Sequence, residues 1–82
     1  MEAWEEKLKL QDGESLKLER RYSKGFMQET DVEEYWIVDA KDEVTGKVRY
    51  TDHTAVRGFR RTIQVVQFDR AGATVVDTVW RT

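Results

Sequence analysis

The chain has no cysteine, no proline and a single histidine among its 82 residues. Without cysteine there is neither a disulfide framework nor a thiolate metal site. One imidazole cannot build a histidine cluster. Disulfides, metals and partner chains are the usual supports of small domains. With the first two removed, a partner or a second copy is the support left to expect. No apolar run approaches the roughly 20 residues that span a bilayer. The opening MEAWEEKLKL is charged throughout and does not read as a signal peptide. A single soluble domain, cytoplasmic by default, is the expectation. A chain this short buries only about 60–65% of its unfolded surface.

Net charge is −2, from 14 basic and 16 acidic residues, which is no global signature of nucleic-acid or membrane binding. The charges are unevenly spread. Residues 27–46 hold seven acids against Lys41, and residues 47–70 hold six bases against Asp52 and Asp69. An acidic segment thus runs directly into a basic one.

Alternating β-branched and aromatic residues, clearest in RTIQVVQF and TVVDTVW, argue for strands. Three triplets ending in glycine separate such runs: Gln11-Asp12-Gly13, Val44-Thr45-Gly46 and Arg70-Ala71-Gly72. A three-residue hairpin loop closes on a left-handed residue, which glycine adopts at least cost. The pattern predicts an all-β domain of about six antiparallel strands in three consecutive hairpins, a curved sheet or small open barrel. The strands fall at Trp4–Gln11, Ser15–Tyr22, Glu34–Asp42, Lys47–Val56, Arg60–Asp69 and Thr74–Arg81. One short helix within KGFMQETDVEEYW, capped by Thr30 with Glu33 three residues on, is the alternative for that segment.

Parity assigns faces. In the first hairpin Leu8, Leu10 and Leu16 cluster on one side. In the second, a Val44–Gly46 loop puts Trp36, Val38, Ala40, Val48 and Tyr50 on one face and Tyr35, Ile37, Thr51, His53 and Ala55 on the other. In the third, Val66, Phe68, Val76 and Trp80 share one face, and Ile63, Val65, Val75 and Val79 share the opposite one. Apolar residues on both faces are unexpected for a sheet with one wet side. Three explanations compete: the first hairpin folds over one face, a bulge at Val65-Val66 or Val75-Val76 switches parity, or one face meets another chain.

Candidate chemistry is sparse. Asp52 and His53 are strand neighbours and point to opposite faces, so they make a poor catalytic pair, and no activated nucleophile accompanies them. The acidic residues 33–43 do not converge as metal ligands do. No glycine-rich phosphate loop appears. No catalytic, cofactor or metal residue is assigned, and the expectation is a protein that is not an enzyme. Three tryptophans, three tyrosines and three phenylalanines are many for so small a sheet, and aromatics with arginine anchor interfaces. A protein partner or a homodimer is therefore the leading expectation, through Trp36, Phe59, Arg60, Arg61 and Trp80. The last strand has only Asp77 and Arg81 as charges and would make a poorly protected edge. The alternative is single-stranded nucleic acid, held by Lys47, Arg49, Tyr50, Arg57, Phe59, Arg60 and Arg61 through backbone charge and base stacking. Small-ligand binding in a partly open barrel is a third possibility.

Overall fold

A computed structural model describes residues 4–27, 29–55, 58 and 60–82. The protein is all-β: one open sheet of five antiparallel strands in the order β1-β2-β3-β4-β5. The strands are β1 (Ser15–Lys24), β2 (Thr30–Val38), β3 (Val44–Thr54), β4 (Arg61–Asp69) and β5 (Thr74–Arg81). Among the described residues, no helix is long and apolar enough to cross a membrane.

The sixth expected strand, Trp4–Gln11, is instead a single 3-10 turn, Trp4–Lys7, followed by an extended strap. The first of the three expected hairpins is therefore absent as a strand pair. Its consequence holds by another route. Trp4, Leu8 and Leu10 lie across one face of the sheet with Leu16, against a core of Ile37, Val48, Tyr50, Ile63 and Val65. Trp4 stacks on Tyr50 at 4.9 Å between centroids and tilts against Tyr35 at 5.4 Å. The strap is fastened by one side chain. The buried Gln67 amide donates from Nε2 to the Lys9 carbonyl at 3.0 Å, and its Oε1 accepts from the Lys9 amide at 2.8 Å. Gln67 thus supplies the donor and acceptor that a neighbouring strand would otherwise provide.

The second turn also differs from expectation. It spans residues 39–43, with Asp39 N–H donating to the Glu43 carbonyl at 2.9 Å, and Val44-Thr45-Gly46 lies inside β3. Asp39 Oδ1 accepts from the Lys41 and Glu43 amides at 2.8 and 3.0 Å, and Asp42 takes the left-handed conformation at φ 64°. Aspartate tolerates that region better than most residues. The third turn is as expected and uses the same device: Asp69 Oδ1 accepts from the Ala71 and Ala73 amides, both at 2.9 Å, with Gly72 left-handed at φ 90°. Gly46 serves another need. A Cβ there would lie 2.5 Å from the Phe68 carbonyl oxygen, so its absence lets β4 come close.

A bulge just after the displaced turn changes the faces. The turn's move by itself is an even slip, but Thr45 is an extra residue between Val38↔Val44 and Ile37↔Gly46. This β-bulge makes the slip odd, so that Tyr35 opposes Val48 and Glu34 opposes Arg49, and an odd slip inverts a strand. Val48 and Tyr50 therefore join Tyr35 and Ile37 rather than Trp36. In the last hairpin the register shifts after Phe68↔Thr74 to Gln67↔Val76. The extra residue is Val75, one of the two expected bulge positions. It moves Val76 and Trp80 onto the face of Ile63 and Val65. β2 runs over Thr30–Val38 rather than Glu34–Asp42, and the segment is strand, not helix, from Thr30 onward.

Truncating Trp4 to alanine should destabilise the fold by about 2–4 kcal/mol, somewhat below a fully buried tryptophan. Replacing Gln67 with alanine should cost about 1–2 kcal/mol through the lost pair of hydrogen bonds. Urea unfolding followed by tryptophan fluorescence checks both.

Candidate interaction surface

The strap covers one face, here the inner face. The outer face carries Thr30, the buried Val32, Glu34 and Trp36 from β2, with His53, Thr51, Arg49 and Lys47 opposite them on β3. Beyond these come Gln64, Val66 and Phe68 of β4, then Asp77 and Val79 of β5. Lys17, Arg20 and Tyr22 flank it from β1. At its centre Glu34 is only 1% exposed. It accepts from Nε of Arg20 and from Nε of Arg49, the latter at 3.1 Å. Burial pushes the Glu34 carboxyl up, but the two guanidinium hydrogen bonds and the Lys47 charge together outweigh it and hold the group below its ordinary range. The cations are also seated on rings. Arg20 lies 5.1 Å over Tyr22, Arg49 5.8 Å over Phe68, and Lys47 4.9 Å over Trp36. Lys47 pairs with Glu19 at 3.1 Å. A cation over an aromatic face gains electrostatically from the ring quadrupole. The outer face is thus a lattice of alternating charge and aromatic groups.

Next to it, Trp36, Val44, Lys47, Phe68, Asp69 and Arg70 border a shallow, mostly apolar cleft of about 240 Å³. A second cleft of about 340 Å³ opens on the inner side, between the strap at Lys9–Gln11 and the residues Ile37, Thr45 and Val75.

The sequence-assigned residues do not share one face. Trp36, Lys47 and Arg49 belong to the outer face. Tyr50 is buried under Trp4 on the inner face. Trp80 packs on the inner core with Lys7 Nζ 4.7 Å over its ring. Arg61 also lies on the inner side, donating to both oxygens of Asp52 at 2.7–3.0 Å. Arg60 is exposed beyond the end of β4. Arg57 and Phe59 lie outside the described residues. Asp52 and His53 diverge, Asp52 to Arg61 and His53 Nδ1 to the Thr30 hydroxyl at 2.6 Å. Tyr35, which donates to Glu33, has its phenol pushed up to about 12 by burial and by that carboxylate. Sequence reasoning missed Arg20, Tyr22 and Glu34 as a unit, because the Glu34–Arg49 pairing becomes visible only with the turn at 39–43 and the bulge at Thr45 together.

The two edges of the sheet differ. β1 carries Lys17, Glu19, Arg20, Arg21 and Lys24, the charged type of edge that resists pairing. β5 carries only Asp77 and Arg81, and its Val75 and Val79 are 36% and 56% exposed. The chain matches no protein-family model, no curated protein and no solved structure.

Glu34→Gln should destabilise the fold by about 1–3 kcal/mol, since it leaves two guanidinium groups without their shared carboxylate. A carboxyl held below its ordinary value contributes stability above about pH 4.5 and loses it as pH falls through the folded value. Acid titration of the unfolding free energy should show that loss in the wild type and a weaker one in the variant.

Proposed function

We propose that this protein is a non-enzymatic interaction module that binds a protein strand, from a partner or from itself, at the β5 edge beside the aromatic outer face. The observation that carries this reading is the contrast between edges. Five charges guard β1, whereas β5 is eight residues long, has no proline and displays two half-exposed valines. Strand addition gains main-chain hydrogen bonds along an open edge and specificity from alternate side chains. The Trp36–Phe68 cleft lies at the turn end of β4 and β5 and offers an apolar contact near the same edge. The nucleic-acid reading has less support. Lys47, Arg49 and Arg61 each carry a carboxylate partner, and Tyr50 lies on the face opposite Lys47 and Arg49.

The reading is tested with a synthetic peptide of residues 74–81 titrated into labelled protein by NMR. Shift changes should concentrate on β5 amides and spare β1, and the double substitution Val75→Lys, Val79→Lys should abolish them. An unperturbed β5 at millimolar peptide contradicts it.

A further inference from the structure

We infer that the strand which β5 receives is the β5 of a second copy, in one antiparallel register that sets Val79 opposite Val79 and Asp77 opposite Arg81. The inference rests on reading β5 as a recognition edge and adds the partner and the alignment.

The register follows from symmetry, parity and charge. Two identical strands pairing about a two-fold axis normal to the sheet keep their faces, and directly opposed residues share a face. A residue must therefore oppose one an even number of positions away. Beyond the bulge at Val75 the alternation of β5 is regular, with Asp77, Val79 and Arg81 on the outer face opposite Val66, Gln64 and Thr62 of β4. Four alignments overlap most of the strand, and the one that centres on Val76 sets Asp77 against the bulged Val75 and leaves Arg81 outside the pairing. One centres on Asp77 and puts two like charges face to face, which is unfavourable. One centres on Thr78 and leaves Asp77 against Val79 and Arg81 against Val75 at the bulge. The last centres on Val79. It places Asp77 against Arg81 twice, by symmetry, and sets the most exposed valine of the strand, at 56%, against its own copy. On the inner side it opposes Thr78 with Trp80, an aromatic–β-branched pair of the favourable kind. Only this alignment matches both charges of the strand with opposite charges. Asp77 Oδ1 accepts from Gln64 Nε2 at 3.0 Å, which leaves Oδ2 to face the incoming arginine.

Two short strands make a small interface, so the dimer is weak and concentration-dependent. It joins two five-stranded sheets into one of ten and leaves the charged β1 edges outermost, where they resist further growth.

The chain has no cysteine, so introduced thiols report without background. Val79→Cys should give an intermolecular disulfide under mild oxidation. Asp77→Cys should not, because in this register the two copies of residue 77 sit four positions apart, roughly 13 Å, beyond disulfide reach. Sedimentation equilibrium should show a dimer that Asp77→Arg weakens about tenfold and that Asp77→Arg with Arg81→Asp restores. Cross-linking through residue 77 in preference to 79, or a double variant no better than the single, overturns the register. A protein monomeric at several hundred micromolar, with no cross-link through residue 79, overturns self-pairing altogether. If the peptide titration then still marks β5, the edge reading stands with a free strand, rather than a second folded copy, as its occupant. If it does not, both fall.

Discussion

The Gln67 side chain stands in for a strand. Its amide gives Lys9 a donor and an acceptor at 3.0 and 2.8 Å, and so fixes an irregular strap against the inner face. Without that fastening, the backbone polar groups of the strap would have to trade burial for water. With it, Trp4, Leu8 and Leu10 cover Tyr50, Val48 and Ile63 and complete a two-layer core. A flat sheet alone cannot do this, since apolar side chains need a second layer to be removed from water. The strap is short, however, and covers one face. The outer face is organised instead by charge and rings around Glu34, and β5 is left as the sheet's less protected edge.

The outer face shows how a polar surface can be made rigid without an apolar lid. A buried carboxylate is costly unless its oxygens are filled. Here each oxygen of Glu34 takes one guanidinium, and Phe68 and Tyr22 seat the guanidinium planes. Exposed ion pairs contribute little singly, but these converge on a group that is itself buried. The arrangement uses the arginines up as structure. This is why the basic segment after residue 46, so prominent in the sequence, presents less free positive charge than its composition suggests.

Much of the fold was legible from alternation and turn chemistry: the all-β class, the strands at Ser15, Lys47, Arg60 and Thr74, the Arg70–Gly72 turn, the bulge at Val75 and the poorly charged final strand. Two features were not. Glycine is the sequence's mark for the second loop, but Asp39 caps that turn with its own side chain and Asp42 accepts the left-handed conformation. Gly46 is needed inside the strand, where the Phe68 carbonyl approaches. The bulge at Thr45 that follows the turn inverts β3 and separates Tyr50 from Trp36. The strap was the other. Leu8 and Leu10 do alternate toward the core, but the hydrogen-bonding partner of Lys9 between them is a side chain 58 residues away, which no local pattern encodes. The candidate surface was legible only at its edge, because the Arg20–Glu34–Arg49 cluster depends on the pairing of three strands.

The strap belongs to the fold and closes the inner face, and the recognition we propose for the β5 edge depends on that closure. Residue-resolved hydrogen exchange on dilute protein tests it most directly, through the Lys9 amide. The account predicts that this amide is protected to nearly the same degree as those of β3 and β4, since it donates to the buried Gln67. Exchange of the Lys9 amide at the rate of an unstructured peptide, while β3 and β4 stay protected, would contradict it.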